Sequence, residues 1–152
     1  MIYAVGGGVQ ATICGVISNE YLHELQSIKT DVKIDYIPGF IDDDTLYSLI
    51  DQSDIILLPY RAISQSGVLL LALYFRKMII SSDLPSFKET LEGFTDDMFA
   101  KAEDAQSLAD LITRYLRGEV DIGKQLQIID NLNHKYSWHE AAKKTIAIYL
   151  ST

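Results

Sequence analysis

Residues 54–89 have the sequence DIILLPYRAISQSGVLLLALYFRKMIISSDLPSFKE, which predicts a strand, a loop, a helix and a second strand in succession. The runs DIILLP and MIISS are short and apolar without alternation, as expected of strands that are buried on both faces of a parallel sheet. Between them, GVLLLALYF is apolar on nearly every side, which indicates a helix packed between the sheet and other elements. A right-handed crossover should connect the two strands.

The predicted start of this central helix lies at Ser66, Gly67 and Val68, above the carboxyl edge of the sheet. The first amides of a helix have no intrahelical acceptor, and the helix dipole places partial positive charge at the same end. These two effects together favour an anion such as a phosphate. The sequence therefore predicts an anion site at the start of the central helix.

The rest of the chain alternates predicted strands with predicted helices. Further strands are expected at residues 11–17, 32–37 and 98–100, and further helices at 19–28, 43–52, 86–92, 105–116, 122–134 and 137–150. Elements in this order predict an α/β fold with a Rossmann-like, doubly wound parallel sheet. A chain of 152 residues buries about 70% of its unfolded surface, enough for one core. We therefore expect a single domain over residues 1–152, with residues 121–152 forming its C-terminal helices.

Composition and charge exclude several classes of partner. The formal net charge of −8 argues against nucleic acid and against an anionic membrane surface, because both are bound through clustered Lys and Arg. The longest apolar run, residues 68–75, is far shorter than the ~20 residues that span a bilayer, so we expect no membrane insertion and a cytoplasmic protein. The single cysteine, Cys14, lies in a strand-like segment and is expected to be a small buried thiol.

The central segment and its flanks resemble the donor-binding lobe of GT-B glycosyltransferases, in particular the retaining family 4 of the group 1 type. The matching residues in the centre are Pro59, Tyr60, Arg61, Ser66, Gly67, Val68, Leu69, Leu70, Ala72, Leu73, Ile79, Ile80, Ser82, Asp83 and Glu89. The resemblance extends upstream through Pro38, Gly39, Phe40 and Ile41, and downstream through Tyr136, Ser137 and Trp138. It therefore covers most of the chain, and its specificity comes from the order and spacing of short motifs.

The resemblance implies a nucleotide-sugar-binding lobe of a retaining glycosyltransferase that transfers a hexose from a UDP- or GDP-type donor to an acceptor. It places the diphosphate at Ser66, Gly67 and Val68, and the base beside the backbone of Gly39, Phe40 and Ile41. Arg61 is the expected catalytic residue, because a guanidinium can fork onto the oxygens of the leaving diphosphate. Tyr60, Ser64, Gln65 and Glu89 are the other candidate donor contacts. No cofactor and no metal are expected, because preorganised donors stabilise the developing charge.

Residues 1–10, MIYAVGGGVQ, depart from the pattern of that family, which opens the lobe with a strand and a basic loop. Gly6, Gly7 and Gly8 lack the order of a phosphate-binding loop, so a flexible tether or truncated edge is the favoured interpretation. The lobe is therefore expected to be truncated at its N-terminus and to lack the N-terminal acceptor-binding lobe. By itself it should be inactive, and its exposed inter-lobe face could drive self-association.

A second departure concerns two glutamates that the family usually carries eight residues apart. An alignment on Ala72 places Ile63 and Leu71 at those positions, and neither side chain can bind a hydroxyl. A shift of one residue offers Ser64 and Ala72 instead, which restores at most the first contact. Loss of a hydroxyl partner weakens discrimination by about 10²-fold or more per contact. Whether both losses abolish activity is left open by the sequence.

Several candidate residues have equally ordinary structural interpretations. Tyr60 either stacks near a ligand or plugs the sheet edge, and Ser64 and Gln65 either contact a ligand or belong to a solvated loop. Glu89 is either a donor contact or a surface helix residue. The acidic run 42–44 is better explained as a helix N-cap than as a metal site.

The alternative function is a degenerate, non-catalytic α/β interaction module, or a receiver-like domain that serves as a scaffold. Loss of both family glutamates favours this alternative, whereas the retained loop sequence around Arg61 and Gly67 favours the transferase lobe. A receiver domain needs an acidic cluster at the strand ends and a lysine on a later strand, and Asp83 and Lys101 meet that pattern poorly.

Overall fold

The computed structural model of the chain describes residues 4–5 and 8–150. The elements in chain order are β1 (Ala4–Val5), β2 (Gly8–Gly15), α1 (Asn19–Ser27), β3 (Lys33–Pro38), α2 (Asp43–Gln52), β4 (Ile55–Leu58), α3 (Gly67–Tyr74), β5 (Met78–Ser82), α4 (Pro85–Thr90), β6 (Phe99–Ala100), α5 (Ala105–Leu116), α6 (Ile122–Lys135) and α7 (Trp138–Leu150), with a single 3-10 turn at Asp96–Met98 before β6. The expected α/β class with parallel strands is confirmed. None of the helices in these described ranges has the length and apolar character needed to span a bilayer.

The strands form two sheets of three, in the orders β1-β2-β3 and β4-β5-β6. All neighbouring pairs are parallel except β1 and β2, which pair antiparallel with Val5 opposite Gly8. The expected continuous sheet is thus divided, because β2 and β4 are not hydrogen-bonded to each other. Of the two alternatives expected over residues 1–10, the flexible tether is wrong for Ala4–Val5 and for the start of β2 at Gly8, and the truncated edge stays a prediction. Residues 1–3 and 6–7 lie outside the described part.

The C-terminal sheet has a core on each face. Ile56, Leu58 and Ile79 face a cluster that includes Leu69, Ala72 and Leu73 of α3, Ile50 of α2, Phe87 and Leu91 of α4, and Ile129 and Leu132 of α6. Ile55, Leu57, Met78 and Ile80 face Leu111 of α5 on the other side. The strand residues alternate between the two faces, so β4 and β5 are apolar at nearly every position, as expected of strands covered on both sides.

The N-terminal sheet has little core of its own. Among residues 9–15 of β2, Ala11 and Thr12 are the buried ones, and no residue of β3 or α1 is buried. Both large buried clusters are built from elements that begin with α2. Cys14 of β2 is half-buried, and burial raises the pKa of its thiol. The stability of the described chain therefore resides chiefly in the C-terminal sheet and its helices.

Helix boundaries agree closely with the sequence patterns. The predicted spans 43–52 and 105–116 coincide with α2 and α5. Asp42 caps α2, because its carboxylate accepts a hydrogen bond of 2.9 Å from the amide of Thr45, and its pKa is lowered by that bond. Gly118 follows α5 and has a φ of +70°, the left-handed conformation that glycine adopts without strain.

Apolar and small side chains recur at helical spacing along the last helix, at Trp138, Ala141, Ala142, Thr145 and Tyr149, which predicts that this stripe packs the helix against the domain. For Trp138 this expectation is wrong. Trp138 is 90% exposed, and α7 contains no buried residue. The other side chains of this stripe are exposed as well, although they recur at helical spacing. Amphipathic spacing indicates which side of a helix is apolar, and it does not indicate what covers that side.

Candidate functional site

The start of α3 presents two amides without an acceptor. Ser66 is the N-cap, and its hydroxyl accepts a hydrogen bond of 3.2 Å from the amide of Leu69. This contact satisfies one of the first amides with the protein's own side chain. Within the described part of the chain, the amides of Gly67 and Val68 make no hydrogen bond. Two unpaired N–H groups and the positive end of the helix dipole therefore remain for an external anion.

A cavity of about 350 Å³ opens beside Gly67, the first of these two residues. It is lined by Gln65, Ser66 and Gly67 at the start of α3, by Ser86 of α4, and by Tyr136 between α6 and α7. The predicted site residues Gln65, Ser66 and Gly67 thus lie together on one cavity. Tyr136 was quoted in the sequence only as part of a C-terminal motif, and no periodicity pointed to its position beside the start of α3.

Arg61 lies on a different, smaller cavity of about 230 Å³. This second cavity lies at the carboxyl ends of the C-terminal strands and also contacts Pro59, Ser82 of β5 and Lys101 beyond β6. Arg61 is exposed and has no ion pair with any described carboxylate. Its guanidinium is therefore free to bind an anion. Ser82 and Lys101 were not predicted as site residues, although each lies at or just after the end of a buried strand, where site residues of parallel sheets collect.

Gly39, Phe40 and Ile41 follow β3 and line neither cavity. The amide of Gly39 donates a hydrogen bond of 2.8 Å to the carbonyl oxygen of Gly15, which joins the carboxyl ends of β2 and β3. Gly39 has a φ of +105°, so this turn requires glycine. Phe40 is 92% exposed, an unusual position for so large an apolar ring. The turn therefore holds an aromatic face in solvent beside the sheet edge.

The remaining candidates are dispersed over the same region. Tyr60 packs its ring 5.7 Å from that of Phe87, in the plugging role that the sequence allowed. Ser64 is exposed in the loop, and Glu89 is exposed on α4. Lys135 donates a hydrogen bond to the carboxylate of Glu92, which raises the pKa of Lys135, and the charge of Glu89 adds to this effect. Glu89 therefore lies near Lys135, the last residue of α6.

Ile63 and Leu71, which the alignment on Ala72 places at the positions of the two family glutamates, both pack against the core cluster on the α3 face of the sheet. The carbonyl oxygen of Ile63 also accepts a hydrogen bond of 3.0 Å from the hydroxyl of Ser86. These two residues therefore connect the loop to the core and offer no polar side chain to a ligand.

Carboxylates near the strand ends have structural partners. Asp83 accepts a hydrogen bond of 2.8 Å from the amide of Ala102, and its own amide donates to the carbonyl oxygen of Ala100. Asp83 thus connects the ends of β5 and β6. Among residues 4–5 and 8–150, no group of three or more His, Cys, Asp or Glu side chains is arranged to hold a metal ion.

The fold and the site define a Rossmann-like α/β domain of the GT-B type, with two unpaired amides at the start of α3. The family model described as glycosyl transferases group 1 matches residues 4–118. The chain therefore belongs to the group 1 glycosyl transferases. The resemblance of the central segment to GT-B glycosyltransferases is confirmed by this match.

Two solved structures of the Anabaena protein HepE show the same fold. The complex of HepE with UDP-glucose superimposes with a TM-score of 0.72 at 16% identity, and covers 94% of this chain and 41% of HepE. The complex with UDP gives a TM-score of 0.70 at 15% identity, with the same coverage. This chain thus spans about two-fifths of the length of HepE. A search of curated protein sequences finds no significant match.

Proposed function

We propose that this chain is the nucleotide-sugar donor-binding lobe of a retaining glycosyltransferase that takes a hexose from a UDP- or GDP-type donor. Membership of the group 1 glycosyl transferases supports the reaction class. The similarity to HepE, whose structures are complexes with UDP-glucose and with UDP, supports a nucleotide-sugar donor. The single observation that carries the proposal is the pair of free amides at the start of α3, those of Gly67 and Val68, of which Gly67 lines a cavity.

The diphosphate of the donor would bind at these amides. Two N–H groups without an acceptor can each donate to a phosphoryl oxygen, and the α3 dipole adds a favourable field. The net charge of −8 opposes an incoming anion at long range, so local donors must supply the affinity. The Ser66 hydroxyl is engaged with Leu69, so its role is to hold the helix start in place rather than to bind the phosphate.

Arg61 would stabilise the leaving diphosphate. Its guanidinium has no carboxylate partner in the described residues and lies on the loop that leads from β4 to α3. As the bond to the sugar breaks, negative charge grows on the diphosphate, and a preorganised guanidinium and helix start stabilise that charge. Lys101 lines the same cavity as Arg61 and would add a second positive charge. We propose that these groups serve in place of a metal ion.

The base would lie against the turn formed by Gly39, Phe40 and Ile41. The exposed ring of Phe40 offers a stacking face, and backbone groups of the turn offer hydrogen bonds without a bulky side chain at Gly39. Ser64, Gln65 and Glu89 remain as proposed polar contacts for the sugar. Transfer itself would need an acceptor-binding lobe, which is consistent with the coverage of only 41% of HepE.

Calorimetric titration of the chain with UDP, GDP and ADP tests the proposal. One of the three should bind with micromolar to millimolar affinity, and Arg61→Ala should weaken that binding by about tenfold or more, since a hydrogen bond between charged groups is lost. Arg117→Ala is the matched control, because Arg117 is also exposed but lies at the end of α5, away from both cavities. If Arg61→Ala and Arg117→Ala bind the nucleotide with equal affinity, Arg61 does not contact the nucleotide.

A non-catalytic interaction module is the second candidate, and the packing of Ile63 and Leu71 into the core favours it. This alternative predicts no binding of any of the three nucleotides. It is therefore distinguished by the same titration, carried out on the chain and on a longer polypeptide that includes any preceding domain.

A further inference from the structure

We propose that a third cavity, between α5, α6 and the start of β5, is a separate binding site for a small neutral aromatic molecule with an amide-like group. The cavity has a volume of about 370 Å³, within the range of small-molecule sites. No residue of the proposed donor site lines it. The inference does not rest on the proposed donor function.

The position of the cavity separates it from the donor site. Met78, the first residue of β5, and Met98, just before β6, both line it, so it lies at the amino ends of these strands. Arg61, Ser82 and Lys101 lie at the opposite, carboxyl ends. The two cavities therefore lie at opposite ends of β5.

Gln125 is the feature that indicates a ligand. Its side chain lines the cavity, yet the residue is only 4% exposed. Its Oε1 is closed to solvent and has no donor, and its Nε2 makes no hydrogen bond within the described chain. A buried carboxamide without partners destabilises a fold, and most such groups in native proteins are satisfied. Rotation of the carboxamide about its last bond can present either its oxygen or its NH₂ group to the cavity.

The chemistry of the walls selects the class of ligand. Met78, Ile80 and Leu111 form an apolar floor, and methionine sulfur contacts aromatic rings favourably. A carboxamide pairs best with a group that has a donor and an acceptor side by side, such as an amide or a lactam ring. The ligand should therefore have a flat apolar body and an amide-like edge directed at Gln125.

The charges at the rim favour a neutral molecule. Arg114 is engaged by Asp97, with 3.1 Å between Nη2 and Oδ2, so its guanidinium is not free for an anion. Three carboxylates, Asp97, Glu119 and Asp121, outnumber the two basic side chains, Arg114 and Lys124, that line the cavity. An anionic ligand would therefore meet net negative charge, in contrast to the diphosphate at α3.

Benzamide is the probe, titrated into the ¹⁵N-labelled full chain and followed by two-dimensional NMR. The amide signals of α5, α6 and the start of β5 should shift together, with a Kd on the order of millimolar for so small a ligand. Toluene, which has the ring but no amide, should bind more weakly. This map needs no substitution, so it tests the location of the site even if a variant fails to fold.

Gln125→Met tests the role of the carboxamide, and Gln127→Met is the matched control, because Gln127 is exposed on the same helix. Gln125→Met should weaken benzamide binding by about tenfold or more. It should also raise the melting temperature by about 2–4 °C, since it removes an unpaired buried group. The control should change neither.

Three results would each overturn the inference. The first is the absence of shifts at benzamide concentrations up to about 10 mM, well above the expected Kd. The second is unchanged benzamide affinity in a folded Gln125→Met variant. The third is displacement of benzamide by UDP, which would show that the two cavities are not separate sites.

Discussion

Replacing Gly67 with proline should remove one amide N–H from the start of α3 and leave the helix intact. Gly67 is the first residue of α3, the position at which proline is best tolerated, because its amide has no helical acceptor. The preceding residue, Ser66, has φ −130° and ψ 111°, the extended conformation that a following proline requires. A Cβ built on Gly67 meets no atom within 4 Å. The substitution therefore tests the anion site without disturbing the core.

The magnitude follows from the number of donors lost. One of the two free amides disappears, and a hydrogen bond to a charged phosphate contributes about 1.5–3 kcal/mol. The nucleotide that binds the unmodified chain should therefore bind Gly67→Pro about 10- to 150-fold more weakly. The free energy of unfolding of Gly67→Pro should equal that of the unmodified chain or exceed it by up to about 1 kcal/mol, since proline restricts the unfolded chain.

Isothermal titration calorimetry measures the affinity, and thermal unfolding monitored by circular dichroism measures the stability. Gly67→Ala is the control, because alanine adds the Cβ but keeps the N–H. Alanine should bind the nucleotide within about threefold of the unmodified chain, since no hydrogen bond to a charged group is lost. If the proline and alanine variants bind equally well and both are folded, the amide of Gly67 does not contact the ligand, and the reasoning from free amides is refuted.

Two further predictions concern stability. Leu73 of α3 is 1% exposed, so Leu73→Ala should lower the free energy of unfolding by about 2–5 kcal/mol in urea titration, whereas Leu70→Ala, at a position that is 49% exposed, should have a much smaller effect. The pKa of Asp97 is held below its ordinary value of 3.8, first by the hydroxyl of Thr95 and then by the guanidinium of Arg114. A pKa that is lower in the folded state than in the unfolded chain stabilises the fold at neutral pH, and this stabilisation is lost as the pH falls through the folded-state value. Asp97→Asn lacks this contribution. Between neutral pH and about pH 2 the variant should therefore lose less stability than the unmodified chain, by about 0.5 kcal/mol or less at this exposed position. An identical pH dependence in the two proteins would contradict this assignment.

The helices were the most predictable part of the fold, because local signals define them. For α2, an N-cap aspartate and an apolar face at helical spacing together specified both ends. The same was true of α5, which Asp104 caps and Gly118 follows. The strand β1 could not be predicted, since two residues carry no periodicity and their pairing with β2 is a tertiary contact.

The proposed site was predictable in chain position but not in geometry. The loop between β4 and α3 follows a strand end, and this alone indicated that it would lie at the sheet edge. Spacing along the loop did not show that Arg61 would line one cavity and Gln65 another. Which cavity a loop residue lines depends on which neighbours cover it, and for Gln65 those neighbours are α4 and Tyr136, far away in the sequence.

The packing of Ile63 and Leu71 explains how a donor lobe could lack the two family glutamates and keep its fold. A carboxylate at either position would lie against the apolar cluster that these side chains now contact, and a charge without a partner is strongly destabilising there. The isoleucine and leucine instead strengthen the junction between the loop and the core. Recognition of the donor would then depend on the backbone amides of α3 and on the free guanidinium of Arg61. On this argument, loss of Arg61 should weaken nucleotide binding more in this chain than in a relative that retains both glutamates.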